Sequence, residues 1–233
     1  MTLEFRAAGG RPPASHEVLL VEPTGDAWYL TGMSWPAQPP FDEIGAYRVD
    51  LGRAEAERLA ADARAALDAP RGRPGPADAG LELVRLDGRE SDWSPEHRPP
   101  PAVRLVESAR TAIAAAREHP WSVVQATLVD PTRVRLVNRG EHPLEVEGGE
   151  LRAGWGRGTR TPSPLRIAER PPRESPLPGT LEPGRPVEAE LGPAGTAEDD
   201  EYDAVYALVH LRWRPPVAAE GPWLDGWLVA GGA

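Results

Sequence analysis

Proline sets the first limit on what this chain can fold into. Twenty-eight of its 233 residues are Pro, more than twice the usual share of about 5%. Inside a helix a proline removes a hydrogen bond and clashes with the preceding turn, so so frequent an interruption favours short strands, turns and rigid linkers. Two stretches keep a helical period. "RAEAERLAADARAALD", residues 53–68, places Ala56, Leu59, Ala60, Ala63 and Leu67 on one face, with Glu55, Arg58 and Asp62 off it. "RPPPAVRLVESARTAIAAAREHP" puts Leu105, Val106, Ala109, Ala112, Ile113 and Ala116 in a stripe, entered through Pro and left through His-Pro.

Elsewhere the period is two. "TLEFRAAGG", "SHEVLLVEP", "AWYLTGMSW" and "GAYRVDLG" read as a β-meander, with Thr24-Gly25-Asp26 as one of its turns. A Pro- and Gly-rich connector, residues 69–80, leads to the strand and turn "LELVRLDGRESDW" and then the second helix. Residues 1–119 are therefore expected to form an α+β unit, an antiparallel meander with two helices. From Trp121 onward seven short strands follow over about 110 residues, the count and size of an immunoglobulin-like β-sandwich, expected over 120–233. Within it "RVRLVNRGEHPLEVEGGELR" reads as a hairpin turning at Asn138-Arg139-Gly140, with Asn and Gly at positive φ.

The phrases "VNRGEHPLEV", "LEPGRPVEAEL" and "YDAVYALVHLRW" give the second half its resemblance to bacterial immunoglobulin-like β-sandwiches; Asp203 to Tyr206 is similar to their tyrosine corner. That resemblance implies fold and not activity. The first half, through "FRAAGG", "PTGDAWYLTG", "GAYRVDLGRAEAERLAADARAAL", "LVRLDGRE" and "PPPAVRLVESARTAI", resembles small bacterial meander-plus-helix domains to about residue 118. These include the emfourin type of protease inhibitor. Where that type continues from the double glycine with an aromatic-containing stretch, this chain has "GGRPPASHE", which departs from the inhibitory loop.

Two missing residue types exclude chemistry. There is no Cys, which removes thiol nucleophiles, disulfides and thiolate metal sites, and no Lys, which removes phosphate-loop, Schiff-base and Ser-Lys chemistry. A net charge of −10 opposes nucleic-acid binding. The opening residues carry no signal-peptide pattern and no stretch has the length of a membrane span, so the reading is cytoplasmic. His16, His97, His119, His142 and His210 show no metal-ligand spacing. "TAEDDEYD", 196–203, lacks the alternating ligand order of a calcium loop and reads as a solvated acidic loop. "GWGRGTR", with Arg157 and Arg160, precedes no helix and reads as an irregular loop. No Gly-x-Ser-x-Gly occurs, and 36 carboxylates nominate no acid–base pair. No catalytic, cofactor or metal residue is named.

One strand offers a surface. In "YALVHLRWRP", Val205, Ala207, Val209, Leu211 and Trp213 share a face expected in the core. Tyr206, Leu208, His210, Arg212 and Arg214 share the other. Tyr206, His210, Arg212 and Arg214 are the candidate interaction residues, suited to an acidic partner; the bland alternative is an ordinary solvated face. The expected function is a non-catalytic binding or accessory protein, monomeric in isolation, that recognises a protein partner; an inhibitor or immunity role is one version. The alternative is a hydrolase or small-molecule-binding enzyme with its site between the two parts.

Overall fold

The computed structural model describes residues 2–8, 15–33, 43–70, 80–156, 166–167, 173–174, 177, 179–191, 204–218 and 223–231. The chain forms two compact units: residues 1–31 with 46–120, and residues 32–45 with 121–233. Its class is α+β, with antiparallel strands and two helices. No helix among the described residues is long and apolar enough to cross a membrane.

In the first unit the elements run β1 (Leu3–Ala8), β2 (Ser15–Val21), β3 (Asp26–Met33), β4 (Glu43–Asp50), α1 (Arg53–Asp68), β5 (Leu81–Leu86), β6 (Arg89–Trp93) and α2 (Pro100–Arg117). Hydrogen bonding orders the strands β4-β3-β2-β1-β5-β6. Phe5 stands opposite Leu19 on one side and Val84 on the other, so strand alternation collects Leu3, Phe5, Leu19, Val21, Val84 and Leu86 on one buried face. Burying each such Leu, Val or Phe contributes about 1.5–3 kcal/mol before entropy is counted. The β5–β6 turn is Asp87-Gly88, with φ of 56° and 75°, the positive values that a tight two-residue hairpin requires.

α1 spans the segment with the expected helical period and buries Ala56, Leu59, Ala60, Ala63 and Ala66. Ala66 is buried at the edge of the stripe, and Leu67, in the last turn, is only partly buried. α2 begins on Pro100 and Pro101, whose missing N–H groups lie where a helix has no partner for them, and it buries the expected stripe together with Ala102. The two helices lie against each other, and Ser108 Oγ donates to Asp62 Oδ2 at 3.0 Å.

In the second unit follow β7 (Pro120–Asp130), β8 (Arg133–Asn138), β9 (Leu144–Gly156), β10 (Arg166–Ile167), β11 (Arg173–Glu174), β12 (Thr180–Leu181), β13 (Val187–Glu190), β14 (Ala204–Arg214) and β15 (Leu224–Gly231). One set pairs β13-β8-β7 and continues to the start of β4. The other pairs β9-β14-β15, with β10, β11 and β12 each on β9. Ile44, fully buried, lies against Gly226 of β15: a Cβ at Gly226 would stand 2.8 Å from Ile44 Cδ1.

The hairpin expected at Asn138-Arg139-Gly140 is not one. β8 pairs with β7 and β13, whereas β9 pairs with β14, so the chain changes sheets there. Neither Asn138 nor Gly140 is among the positive-φ residues. Their sequence signature has another cause. The Asn138 side chain, 1% exposed, accepts from the backbone N–H groups of Val123 (3.1 Å) and Gly140 (2.9 Å). It donates to the carbonyls of His142 and Leu181 (both 2.8 Å). Its own carbonyl accepts from Gly184 N–H at 2.8 Å. The chain returns between the sheets through 181–187, so one asparagine fastens both crossings. Gly140 is required by space: a Cβ there would meet Trp121 O at 2.4 Å and Ser122 Cα at 2.5 Å.

Candidate functional site

β14 lies between β9 and β15, and their register places the candidate residues. His210 stands opposite Trp227 and Glu150, and Arg212 opposite Asp225. Between Leu211 and Trp213 the β9 pairing slips from Gly149 to Val146. Two β9 positions, 147 and 148, therefore stand beside Arg212 alone. Such a bulge twists a strand and re-aims its side chains. It brings Glu147 Oε2 to 2.9 Å from Arg212 Nη1.

The inward face follows the expectation at Ala207, Val209, Leu211 and Trp213, all at most 1% exposed, while Val205, also expected in the core, is only partly buried. The outward face does not. Tyr206 is 1% exposed and Leu208 fully buried, so Tyr206 offers nothing to a partner. Alternation assigns a residue to a face and leaves open whether that face is wet. Here both faces of β14 are buried at its beginning, and the surface opens from His210 onward.

Side-chain exposure rises from 19% at His210 to 49% at Arg212, with 34% at Arg214. Each carries a carboxylate. His210 Nε2 lies 3.1 Å from Asp225 Oδ1, and its ring stacks on Trp227 at 4.8 Å. Arg212 Nε lies 3.9 Å from the same Asp225 oxygen. Arg214 Nη1 is 3.4 Å from Glu145 Oε2, and its guanidinium sits 4.6 Å over the Trp223 ring. Further along β9, Arg152 Nη2 reaches Glu150 Oε2 at 2.8 Å. The face is thus a lattice of arginine, carboxylate and indole, with the charges of both signs in contact.

The sequence reading found the cations and missed Glu145, Glu147, Trp223, Asp225 and Trp227. Their signal was present. "PLEVEGGELR" alternates Glu145 and Glu147 on one face, and its paired glycines mark an irregularity inside a strand. "PWLDGWLVA" alternates Asp225 with Trp227. What the sequence lacked was the pairing of these two strands with β14.

Other polar clusters are internally satisfied. Tyr29, fully buried, donates to Glu17 Oε1 at 2.7 Å and accepts from Arg117 Nη2 at 3.0 Å. Burial, and then the Glu17 charge, push its hydroxyl up to about 12, the wrong direction for a base or nucleophile at neutral pH. Glu82, 3% exposed, accepts from Trp93 Nε1 at 2.8 Å and from Arg98 Nε and Nη2 at 2.5 Å each. This bidentate pair ties the approach to α2 onto β5. An open depression of about 320 Å³ beside the β5–β6 turn includes Glu4, Arg85, Asp87 and Arg89, but Arg85 is held by Glu90 and Arg89 by Asp68.

Among the described residues no group of three or more His, Asp or Glu could hold a metal ion. His97 ends a single 3-10 turn, Pro95–His97; His119 is exposed after α2; His142 stacks on Trp121 at 3.5 Å. His16 lies in β2. The acidic stretch 196–203, Arg157 and Arg160 fall outside the described residues. No protein-family model, no curated protein and no solved structure matches this chain.

Proposed function

We propose that this chain is a non-catalytic binding protein whose second unit recognises a protein partner through the exposed end of the β9-β14-β15 face. One observation carries the reading: Arg214 stacked on the half-buried Trp223, next to Arg212 set between Glu147 and Asp225. Tryptophan and arginine concentrate binding energy at protein interfaces, because each offers large contact area together with directed hydrogen bonds. The pairing also limits the entropy lost on docking, since the long arginine side chains are already held in place. We read the second unit as immunoglobulin-like in plan. The reading is supported by the two sheet changes at 138–144 and 181–187 and by the phrases that carry the sequence resemblance.

The test is affinity capture from the native organism with three baits: the wild type, a Trp223→Ala variant, which leaves the charge of the face unchanged, and Arg58→Ala on the exposed side of α1. A partner is expected with the first and third baits and lost with the second, and the purified partner then repeats the pattern by calorimetry. If the Trp223→Ala variant, folded as judged by its melting curve, keeps every partner that the wild type enriches, the face is not the docking surface.

A further inference from the structure

We infer that the partner presents a cationic segment, arginine- or lysine-rich, to this face; the inference rests on the docking surface proposed above. The strip of cations on β14 suggests an acidic partner when read alone, and its neighbours reverse the sign. Asp225, Glu145 and Glu147 are 59%, 57% and 51% exposed, each more than the arginine it contacts. The carboxylates are thus at least as open to an incoming group as the guanidiniums, and Arg214 is partly covered along the Trp223 ring.

Local charge agrees. Among the described side chains of this face, Glu145, Glu147, Glu150 and Asp225 contribute four negative charges, against three positive charges from Arg152, Arg212 and Arg214. The chain as a whole carries −10, and a field of that sign raises the encounter rate with cations and lowers it with anions. An acidic partner would have to displace the carboxylates from their arginines. A cationic partner meets carboxylates with lone pairs to spare. Each carboxylate oxygen accepts more than one hydrogen bond, so Glu147 and Asp225 can take an incoming guanidinium without releasing Arg212. A second guanidinium can lie flat on the open part of Trp223.

The experiment uses the full-length chain and two short labelled peptides, alternating Arg-Gly and alternating Glu-Gly, titrated at low and at physiological salt. One variant set neutralises the site, Glu145→Gln/Glu147→Gln/Asp225→Asn. A control set neutralises three exposed carboxylates of the first unit, Glu57→Gln/Asp92→Asn/Glu107→Gln, and so changes the net charge by the same amount. Arg-Gly peptide is expected to bind the wild type. The site set should weaken it about tenfold, the sum of three modest exposed contacts, and the control set about twofold or less. Glu-Gly peptide should not bind. Equal weakening by both sets would show attraction by overall charge alone and overturn the inference. Preference for Glu-Gly, or binding of neither peptide, overturns it as well. The docking surface itself is judged separately, by the capture comparison with Trp223→Ala.

Discussion

Removing the Asn138 side chain tests the second unit at the point where its two sheet crossings meet. In Asn138→Ala the backbone N–H groups of Val123 and Gly140 lose their acceptor, and the carbonyls of His142 and Leu181 lose a donor. The site is 1% exposed, so water does not replace the amide without rearrangement. A buried donor left unpaired costs about 1–3 kcal/mol. Carbonyls, with a second lone pair, suffer less. Two stranded donors with a smaller carbonyl contribution give an expected loss of about 3–5 kcal/mol, a large part of the roughly 5–15 kcal/mol that holds a domain folded. Read as a melting temperature, that is a fall of about 10–15 °C for a protein of this size. Asn138→Asp should be worse at neutral pH. Its second carboxylate oxygen would face the two carbonyls that the amide nitrogen now serves, and a charge would be buried. Urea unfolding of wild type, Asn138→Ala and the exposed neighbour Arg139→Ala provides the measurement, with Arg139→Ala expected within about 0.5 kcal/mol of wild type. If Asn138→Ala unfolds at the same urea concentration as Arg139→Ala, the asparagine does not fasten the crossings and the argument from its four hydrogen bonds is wrong.

Two glycines should respond in opposite ways. At Gly32 a Cβ would lie 3.9 Å from Trp213 Nε1 and 4.0 Å from Gly226 Cα, ordinary contact distances. Gly32→Ala should therefore stabilise by about 0.5–1 kcal/mol through lower chain entropy, and Gly32→Ser by more, because the hydroxyl comes within reach of an indole N–H that is buried without a partner. Gly140→Ala, which must push into the Trp121–Ser122 backbone, should cost upward of about 2 kcal/mol; thermal melts that rank these variants otherwise would show that the local spacing is misjudged. The Tyr29 hydroxyl, raised from 10.0 to about 12 by burial and the Glu17 charge, favours the folded state while it stays protonated. That contribution is complete below about pH 10 and lost as pH climbs toward 12. Phenolate absorbance should show a component ionising late and together with unfolding, and Tyr29→Phe should reduce it. Trp213→Ala should destabilise by about 3–5 kcal/mol, while the exposed Arg212→Glu, which sets a third carboxylate beside Glu147 and Asp225, should cost about 1 kcal/mol; the reverse order in a melting experiment would place β14 inside out.

Local order was largely legible because local physics makes it. Proline spacing left two helical windows, and α1 and α2 fill them with the expected alanine-rich faces. The Asp87-Gly88 turn follows from which residues tolerate positive φ. The failure at Asn138 has equally local roots. An Asn-x-Gly between two alternating runs is a sound hairpin signal, and nothing within ten residues says that the runs belong to different sheets. That information lies in Leu181 and Gly184, which receive and complete the asparagine's hydrogen bonds from more than forty residues away. The asparagine is there for its side chain, and the glycine for the space that Trp121 and Ser122 leave.

The candidate face failed in part for a related reason, and the failure bears on its chemistry. Period two correctly divided β14 into Trp213 inward and Arg212 outward, yet it treated Tyr206 and Arg212 as equals because they share a side. Their difference is set by what lies across the sheet. Tyr206 has Gly231 and Gly154 beside it, while Arg212 has Asp225 and the bulged Glu147. A strand's sequence reports its own charge, whereas a partner meets the potential of three strands at once. On β14 alone that potential is positive. With β9 and β15 beside it, Glu145, Glu147 and Asp225 stand against its arginines, and the surface carries both signs without any residue of β14 having changed.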